Sequence, residues 1–234
     1  MRPDPVRRVL DAELTAARER RGGQPPRLLD VGGGSGVLAV PLAAAGAEVT
    51  VVEPSPNALA TLDRRAEDAG VAHRITAVQG DSDALDQLVG PGFDLVIAHG
   101  VLEVVDDPKV TVAALAAAVA PGGAVSVVVA NRFAAVIQRA ISGKLTDARQ
   151  LLDGPAVPGE PRRFDTVGLH TLLDDAGLTV HLVQGLGVLT DLVPGGVLES
   201  NLAAAEALAD LEATAATMAP LRDIATRLHA LARR

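Results

Sequence analysis

Residues 28–46 read LLDVGGGSGVLAVPLAAAG, and this stretch sets the class of fold. An apolar run that contains Asp30 is typical of a short buried strand, and the alanine- and leucine-rich segment after the glycines is typical of a helix. The glycines allow the backbone to approach a ligand closely, and the first turn of the helix offers N–H groups that no helical carbonyl uses. The stretch therefore predicts a strand–turn–helix unit with a ligand site at the turn. A tight turn that binds nothing would give the same pattern.

Strands and helices alternate along the rest of the chain. Strands that alternate with helices of about ten to fifteen residues predict βαβ units and a parallel, doubly wound sheet. The regular pattern fades between residues 131 and 161, which we interpret as an insertion or lid. The predicted strands are 27–31, 48–52, 74–78, 93–98, 124–130, 178–183 and a last one near 224–231. The predicted helices are 5–21, 37–45, 56–70, 108–120, 131–142, 165–176 and 200–218.

Composition excludes several classes of protein. The chain has 234 residues, 48% of them hydrophobic and 21% charged, so it can bury a core and is not a disordered chain. It contains no Cys, which excludes disulfides, thiolate metal sites and cysteine nucleophiles. Its five histidines lack the spacing of metal ligands, so we expect no metal. The N-terminal sequence is charged and no apolar run is long enough to span a membrane, so we expect a cytoplasmic protein.

The charge is unevenly distributed along the chain. The formal net charge is −8, which argues against nucleic acid as a partner of the chain as a whole. Residues 1–27 and 131–163 nevertheless each carry +3, while residues 28–130 carry −9 and residues 164–234 carry −5. Two basic segments therefore flank an acidic body.

Two cofactors compete for the glycine turn. The dinucleotide fingerprint is G-x-G-x-x-G, whereas Gly32, Gly34 and Gly36 form G-x-G-x-G, with the third glycine one position early. A pyrophosphate also has no group that favours a carboxylate such as Asp30. S-adenosylmethionine has an ammonium group and no phosphate, so it fits Asp30 better. A dehydrogenase that uses a dinucleotide is the less favoured alternative.

The next three predicted strands each end beside a residue that suits this ligand. Glu53 ends the second strand, where its carboxylate can accept hydrogen bonds from both ribose hydroxyls. Asp81 follows the third strand with Ser82 beside it, and can accept from the adenine amino group or cap the next helix. His99 follows the fourth strand. Ligands of doubly wound sheets bind at the carboxyl ends of the strands, so we expect these residues to meet there.

Together these motifs resemble the class I S-adenosylmethionine-dependent methyltransferases. The resemblance covers roughly residues 27–130 and rests on D-x-G-x-G-x-G at 30–36, Glu53, Gly80–Asp81, FDLVIAHGVLE at 93–103 and PGG at 121–123. A longer likeness, which adds AHGVLEVVDDP at 98–108 and VAN at 129–131, is to the bacterial tRNA 5-carboxymethoxyuridine methyltransferase family. The resemblance implies an enzyme that uses S-adenosylmethionine, with a seven-stranded, mostly parallel sheet of order 3-2-1-4-5-7-6.

The resemblance also implies a set of cofactor-binding residues. Arg7, in the N-terminal helix, would close over the carboxylate end of the cofactor. The complete predicted set, from the resemblance and from the residues themselves, is Arg7, Asp30, Gly32, Gly33, Gly34, Glu53, Asp81, Ser82 and His99. We interpret residues 1–234 as one methyltransferase domain. Its parts are an N-terminal helix (1–26), a cofactor-binding core (27–130), a lid or acceptor insertion (131–163) and the C-terminal part of the sheet (164–234).

The predicted methyl acceptor is anionic. N-methyltransferases that act on exocyclic amines often carry a polar-Pro-Pro-aromatic motif after the fourth strand, where this chain has HGVL. A carboxylate is already ionised at neutral pH and needs positioning rather than a base. Arg162 and Arg163 can hold such a group bidentately, and Asn131 is a third candidate for acceptor binding. His99 and Glu103 are the candidates for acid–base chemistry.

Several functions stay open at this point. The basic segments are compatible with RNA phosphates, so one candidate acceptor is a modified wobble uridine of tRNA. A second candidate is a small-molecule O- or N-methyltransferase whose acceptor lies under the lid. A third is a module that binds S-adenosylmethionine or RNA without catalysis.

Overall fold

The computed structural model describes residues 4–154, 159–195 and 202–234. The strands are β1 Arg27–Val31, β2 Glu48–Glu53, β3 Ile75–Gln79, β4 Phe93–His99, β5 Val119–Ala130, β6 Thr179–Leu186 and β7 Arg227–Arg233. The helices are α1 Pro5–Arg20, α2 Ala39–Ala44, α3 Pro56–Asp68, α4 Leu85–Leu88, α5 Pro108–Ala118, α6 Arg132–Ile141, α7 Leu145–Asp153, α8 Thr166–Asp175 and α9 Leu202–Ala215.

The strands form one seven-stranded sheet in the order β3-β2-β1-β4-β5-β7-β6, which confirms the predicted topology. Strands β1 to β4 pair in parallel. β7 runs antiparallel to β5. This direction is seen from Arg234, directly after β7, which exchanges backbone hydrogen bonds with Gly122 and Gly123 near the start of β5. The sheet is therefore mostly parallel with one reversed strand.

The register brings three strand ends to one edge. Val31 at the end of β1 is opposite Val52 of β2 and Ala98 of β4. The chain leaves β1 towards β2 and later returns on its other side as β4, so β1 and β4 border the topological switch point of the sheet. Ligands of open α/β sheets bind at such a point, outside the carboxyl ends of the strands. The fold thus positions the residues after β1, β2 and β4 around one location.

Buried aliphatic side chains hold these central strands in place. Leu28, Leu29, Leu95 and Ile97 are fully buried, which is expected for strands of a parallel sheet that helices cover on both faces. On α3, Leu62 is fully buried and packs so closely against the glycine turn that a β-carbon at Gly36 would lie 2.3 Å from its Cδ1. The turn after β1 is therefore fixed by packing.

Several elements differ from the sequence prediction, including the short helix α4, which was not predicted. α5 ends at Ala118 rather than residue 120, because Val119 is extended and fully buried and already begins β5. The PGG sequence at 121–123 thus belongs to a strand rather than to the expected closing turn. Within the predicted lid, α7 forms where no regular structure was expected, with Ala148 and Leu151 as its buried face. The last strand begins at Arg227, after a single 3₁₀ turn at Arg222–Ile224.

The chain divides into two compact units. The first comprises Met1–Val127, Leu172–His181 and Leu231–Arg234, and the second comprises Val128–Thr171 and Leu182–Ala230. Part of the predicted lid, residues 155–158, lies outside the described residues. The interpretation of residues 1–234 as one domain stays a prediction.

Two kinds of feature are absent from the described ranges. No group of three or more His, Asp or Glu side chains there is placed to hold a metal ion. Within the same ranges no helix has both the length and the apolar character that crossing a bilayer requires.

Candidate functional site

A cavity of about 360 Å³ lies in the first unit beside the switch point. Its walls are formed by the turn after β1, the carboxyl end of β2 and the loops after β3 and β4. The lining residues are Gly32, Val52, Glu53, Pro54, Asp81, Ser82, Asp83, Gly100, Val101, Val104, Val105 and Asp106. The cavity is within the range of small-molecule and cofactor sites.

Glu53 is the best-anchored acid of this wall. Its side chain is 9% exposed, and each carboxylate oxygen accepts one backbone hydrogen bond. The N–H of Gly34 donates to Oε2 over 3.0 Å, and the N–H of Ser55 donates to Oε1 over 2.9 Å. Each oxygen keeps a further lone pair, since a carboxylate oxygen accepts two bonds. Glu53 is thus a fixed double acceptor at the cavity.

Asp30 lies directly beneath the glycine turn. Its side chain is 2% exposed, and its Oδ2 has no hydrogen-bond partner among the described residues. Burial, together with the negative charge of nearby Glu53, raises the pKa of Asp30 from its ordinary 3.8 to about 7. A buried acid without a partner is costly in its charged form, so the site favours a ligand that supplies a compensating positive group.

Besides Gly36, the turn leaves room only for glycine at Gly32 and Gly33. Gly32 has a φ of +66°, and a β-carbon there would lie 2.7 Å from Cγ2 of Val101. A β-carbon at Gly33 would lie 2.7 Å from Oδ2 of Asp30 and 2.8 Å from Cγ1 of Val51. Side chains at these positions would therefore displace both the buried acid and the cavity wall.

We expect Gly33→Ala to weaken binding of S-adenosylhomocysteine, the demethylated cofactor, about tenfold and to lower stability by about 1–3 kcal/mol, the usual cost of overpacking. The added methyl group would push against Asp30 and Val51, which are both buried. Isothermal titration calorimetry and urea denaturation measure the two effects. Gly90→Ala is the matched control, because a β-carbon at Gly90 meets no atom within 4 Å. Equal behaviour of the two variants would contradict the close packing of the turn.

Asp81 and Ser82 both line the cavity. Asp81 Oδ1 accepts a hydrogen bond from the Ser82 hydroxyl over 3.2 Å and one from the Asp83 backbone N–H over 3.4 Å. Asp81 thereby caps the short turn Ser82–Ala84. No hydrogen bond of its second oxygen, Oδ2, to another described residue conflicts with the predicted contact to a ligand amino group, so both expected roles are compatible.

His99 and Glu103 stand at the end of β4 and in the loop that follows. His99 Nε2 shares a hydrogen bond of 2.8 Å with the hydroxyl of Ser126, which sequence reasoning missed. Gly100 and Val101, the residues after His99, line the cavity. His99 and Glu103 are both partly buried. Their roles in acid–base chemistry stay predictions.

Arg7 is held on α1 near the start of the chain. Its Nε forms an ion pair of 2.7 Å with Asp11, and its Nη2 donates to the carbonyl of Pro41 over 3.3 Å. The second of these bonds links α1 to α2, the helix that follows the glycine turn. The predicted closure of Arg7 over the cofactor stays a prediction.

The three predicted acceptor residues all belong to the second unit. Asn131 is 1% exposed, and its amide group donates to the carbonyls of Asp223 and Ala225 while its Oδ1 accepts from the N–H of Phe133. Both of its amide N–H groups are therefore used, and only Oδ1 can make a further hydrogen bond, by accepting one from a donor group of the methyl acceptor. Arg163 differs, since its Nε is buried and has no hydrogen-bond partner among the described residues. Arg162 is partly buried.

These features fit a cationic ligand with a diol. The orphaned oxygen of Asp30 suits an ammonium group, the fixed Glu53 carboxylate suits two hydroxyl donors, and the glycine turn admits close backbone contact. Valine walls from Val52, Val101 and Val105 suit the faces of an apolar ring. S-adenosylmethionine combines these groups.

Comparison with known proteins gives the same assignment. Residues 5–183 match the methyltransferase domain family. The ubiquinone biosynthesis O-methyltransferase of Methylobacterium sp. (strain 4-46) is 34% identical over 166 residues, which cover 68% of this chain and 65% of that protein. The chain aligns with 40% of the length of its Methylocella silvestris counterpart. The tRNA 5-carboxymethoxyuridine methyltransferase of Escherichia coli (strain K12) is 24% identical across 97% of this chain and 87% of its own length.

Solved structures of methyltransferases share this fold. The magnesium protoporphyrin IX methyltransferase of Synechocystis PCC 6803, solved with bound S-adenosylhomocysteine, superposes with a TM-score of 0.59 at 16% identity, over 100% of this chain and 89% of that one. The family match decides between the two cofactors considered for the glycine turn and confirms S-adenosylmethionine. This chain therefore belongs to the methyltransferase domain family, whose members use S-adenosylmethionine as the methyl donor.

Proposed function

We propose that this protein transfers the methyl group of S-adenosylmethionine to a carboxylate-type acceptor, with a modified wobble uridine of tRNA as the first candidate. The observation that carries the proposal is the alignment with the E. coli tRNA 5-carboxymethoxyuridine methyltransferase over 97% of the chain. This likeness also covers the C-terminal part of the second unit, whereas the family match, which includes the basic segment, ends at residue 183.

The cofactor would be held by residues of the first unit. Asp30 would face its ammonium group, Glu53 its ribose hydroxyls and Asp81 its adenine amino group, with the backbone of Gly32 and Gly33 close to the methionine part. When bound, S-adenosylmethionine supplies a methyl group made electrophilic by a sulfonium. The protein's own task is then to bind, orient and exclude water, since well-oriented reactants can gain about 7–11 kcal/mol over free ones.

A carboxylate acceptor makes few further demands on the protein. It is ionised at neutral pH, so no residue has to remove a proton before it attacks. Its charge does need a partner, and the planar fork of an arginine matches it in two hydrogen bonds. Arg163 suits this role because its buried Nε has an unused donor among the described residues, in a segment that carries a net +3.

In the first experiment, the purified protein and methyl-labelled S-adenosylmethionine are incubated with a tRNA pool and, in a second reaction, with a metabolite pool. We expect label in tRNA, in a base-labile ester. Label only in the metabolite pool would contradict the tRNA acceptor and leave a methyltransferase. Cofactor binding without label in either pool would favour the module that binds without catalysis.

Arg163→Ala, alone or with Arg162→Ala, is expected to raise the KM for the acceptor about tenfold or more, the size of one charge-assisted hydrogen bond, and to leave the Kd of S-adenosylhomocysteine unchanged. Arg163→Lys keeps the charge but lacks the planar fork, so it should restore little of the loss. Arg149→Ala is the control for general charge, because Arg149 lies in the same basic segment with a side chain that is 74% exposed. Unchanged acceptor kinetics in the Arg163 variants would remove these arginines from the acceptor site.

A small-molecule O-methyltransferase is the second candidate. It is favoured by the 34% identity with the Methylobacterium ubiquinone biosynthesis O-methyltransferase, although the aligned part covers only 68% of this chain. Salt separates the two candidates. Binding of tRNA weakens steeply as salt rises, since each neutralised phosphate releases counterions, whereas binding of a small acceptor changes little.

A further inference from the structure

Arg65, on α3, forms two hydrogen bonds with one residue of the glycine turn. Its Nη1 group donates to the backbone carbonyl of Ser35 over 3.2 Å and to the Ser35 hydroxyl over 3.0 Å. Each Nη of a guanidinium carries two hydrogens, so both bonds can form at once. The donor is charged, which strengthens such bonds. Arg65 therefore joins α3 to the turn, although 30 positions separate the two residues in the sequence.

The turn is a segment that needs anchors of this kind. Ser35 lies between Gly34 and Gly36, whose φ angles are +56° and +78°. Glycine loses more conformational freedom on folding than any other residue, so a glycine-rich turn is ordered only against a considerable loss of entropy. The contacts that fix the path of the turn have to offset that loss.

Two further contacts fix the same turn. The N–H of Gly34 donates to Oε2 of Glu53 over 3.0 Å, and the side chain of Leu62 packs against Gly36. Leu62 and Arg65 are three positions apart on α3, so they are neighbours on one face of the helix. α3 thus contacts the turn with one apolar and one charged side chain.

The anchored turn forms part of the candidate cofactor site. Gly32 and Glu53 line the cavity, whereas Ser35 and Arg65 are not among the described residues that line it. Arg65 is therefore expected to act on the cavity through the turn and not by touching a ligand. A ligand that meets a loop already ordered in its bound conformation does not have to order it, and its affinity is higher for that reason.

We infer that Arg65 is a positioning residue, which keeps the glycine turn in the conformation that binds the cofactor. This inference rests on the proposed function, because it takes the cavity to be the cofactor site. It adds a residue that the sequence motifs did not indicate, since Arg65 lies on a helix outside all of them.

Substitutions of Arg65 test its effect on affinity. We expect Arg65→Ala to raise the Kd of S-adenosylhomocysteine about threefold to tenfold, the effect of one hydrogen bond. Arg65→Lys keeps a charged donor and should restore part of the loss, whereas Arg65→Met keeps only a long side chain and should restore none. All three replacements are good helix formers, so α3 itself is retained. Arg64→Ala is the matched control, because Arg64 is the adjacent exposed arginine of the same helix.

A double-mutant cycle tests the pairing with Ser35. Ser35→Ala removes the hydroxyl and keeps the carbonyl, so it should weaken binding less than Arg65→Ala does. In the Arg65→Ala background the same substitution should have little further effect, because the partner of the hydroxyl is already gone. Calorimetry measures the four affinities. Losses that simply multiply would overturn the pairing on which the inference depends.

Amide hydrogen exchange separates positioning from general stability. The N–H groups of Gly34 and Gly36 donate to Glu53 and to the carbonyl of Gly33. In the ligand-free protein, Arg65→Ala is expected to speed exchange of these two amides about threefold or more and to leave exchange within β4 unchanged, since the opening is local. Saturating S-adenosylhomocysteine should restore their protection.

The outcomes separate the inference from the function on which it rests. Failure of the wild type to bind S-adenosylhomocysteine overturns the proposed function. Binding by the wild type, with unchanged affinity in Arg65→Ala, overturns the inference alone, whether or not exchange of the turn is faster. An equal loss of affinity in Arg64→Ala, or equally faster exchange within β4, also overturns it, because the effect would then come from charge or from general stability.

Discussion

Glu53→Ala is expected to weaken binding of S-adenosylhomocysteine about 100-fold or more. Two hydrogen bonds from the ribose hydroxyls to an ionised carboxylate are lost, and each contributes about 1.5–3 kcal/mol. The backbone N–H groups of Gly34 and Ser55, which now donate to the two oxygens, lose their acceptor as well. Calorimetry gives the affinity, and thermal unfolding without ligand confirms that the variant folds.

Two variants sharpen this test. Glu53→Gln keeps the shape and one acceptor oxygen, so its affinity should fall between those of the wild type and Glu53→Ala. Glu48→Ala removes an exposed acid from the opposite end of β2 and should bind as the wild type does. A loss in Glu53→Ala smaller than about fivefold, the size of a single neutral hydrogen bond, would show that the cavity does not hold the ribose.

The contribution of Asp30 to the stability of the ligand-free protein is expected to fall as pH rises from about 4 to about 7. Its pKa of about 7 in the folded chain lies above its ordinary 3.8, so folding favours the protonated acid. The stabilisation is complete below pH 3.8 and is lost as the pH passes through 7. The loss amounts to about 4 kcal/mol, since one pKa unit corresponds to about 1.4 kcal/mol.

Asp30→Asn isolates this effect, because the amide has nearly the same shape and does not titrate. We expect the difference in unfolding free energy between the wild type and Asp30→Asn to decline in this pH range and to be flat on either side. Urea denaturation at a series of pH values measures it. Asp63→Asn, on the exposed side of α3, is the control and should give no such decline. A flat difference for Asp30→Asn would show that the acid is not buried as the structure describes.

The same acid links cofactor binding to pH with the opposite sign. An ammonium group beside Asp30 favours the ionised carboxylate, so binding below pH 7 expels a proton. The affinity for S-adenosylhomocysteine should then rise about tenfold per pH unit up to about pH 7 and level off above it. Calorimetry in two buffers with different ionisation enthalpies counts the released proton, and Asp30→Asn should release none. Binding without proton release at pH 6 would place the ammonium group elsewhere.

Sequence reasoning predicted the fold, and it indicated the residues of the candidate cofactor site, because both depend on local pattern. The glycine turn, the strand-end acids Glu53 and Asp81 and the alternation of strands with helices are each readable within a few residues. The resemblance then supplied the strand order, which local pattern does not contain. The rest of the site depends on pairs that are far apart in sequence. Nothing near Ser126 indicates that its hydroxyl meets His99, which is 27 positions away.

The second unit shows the same limit more strongly. Asn131 was predicted to bind the acceptor, yet its amide holds the carbonyls of Asp223 and Ala225, more than 90 residues further along the chain. The short helix α7 was missed because its buried face consists of only Ala148 and Leu151, too few positions for a clear period. In the sequence, a polar side chain that makes a long-range hydrogen bond within the fold cannot be distinguished from one that binds a ligand.

The valine wall of the cavity has a consequence for how ligands can be observed. The chain contains no Trp and no Tyr, so its intrinsic fluorescence is very weak. Val104 lines the cavity but is 70% exposed, so its side chain stands at the rim with space around it. An indole introduced by Val104→Trp would be the sole strong emitter in the molecule. Arrival and departure of unlabelled cofactor or acceptor could then be timed from one known point on the protein.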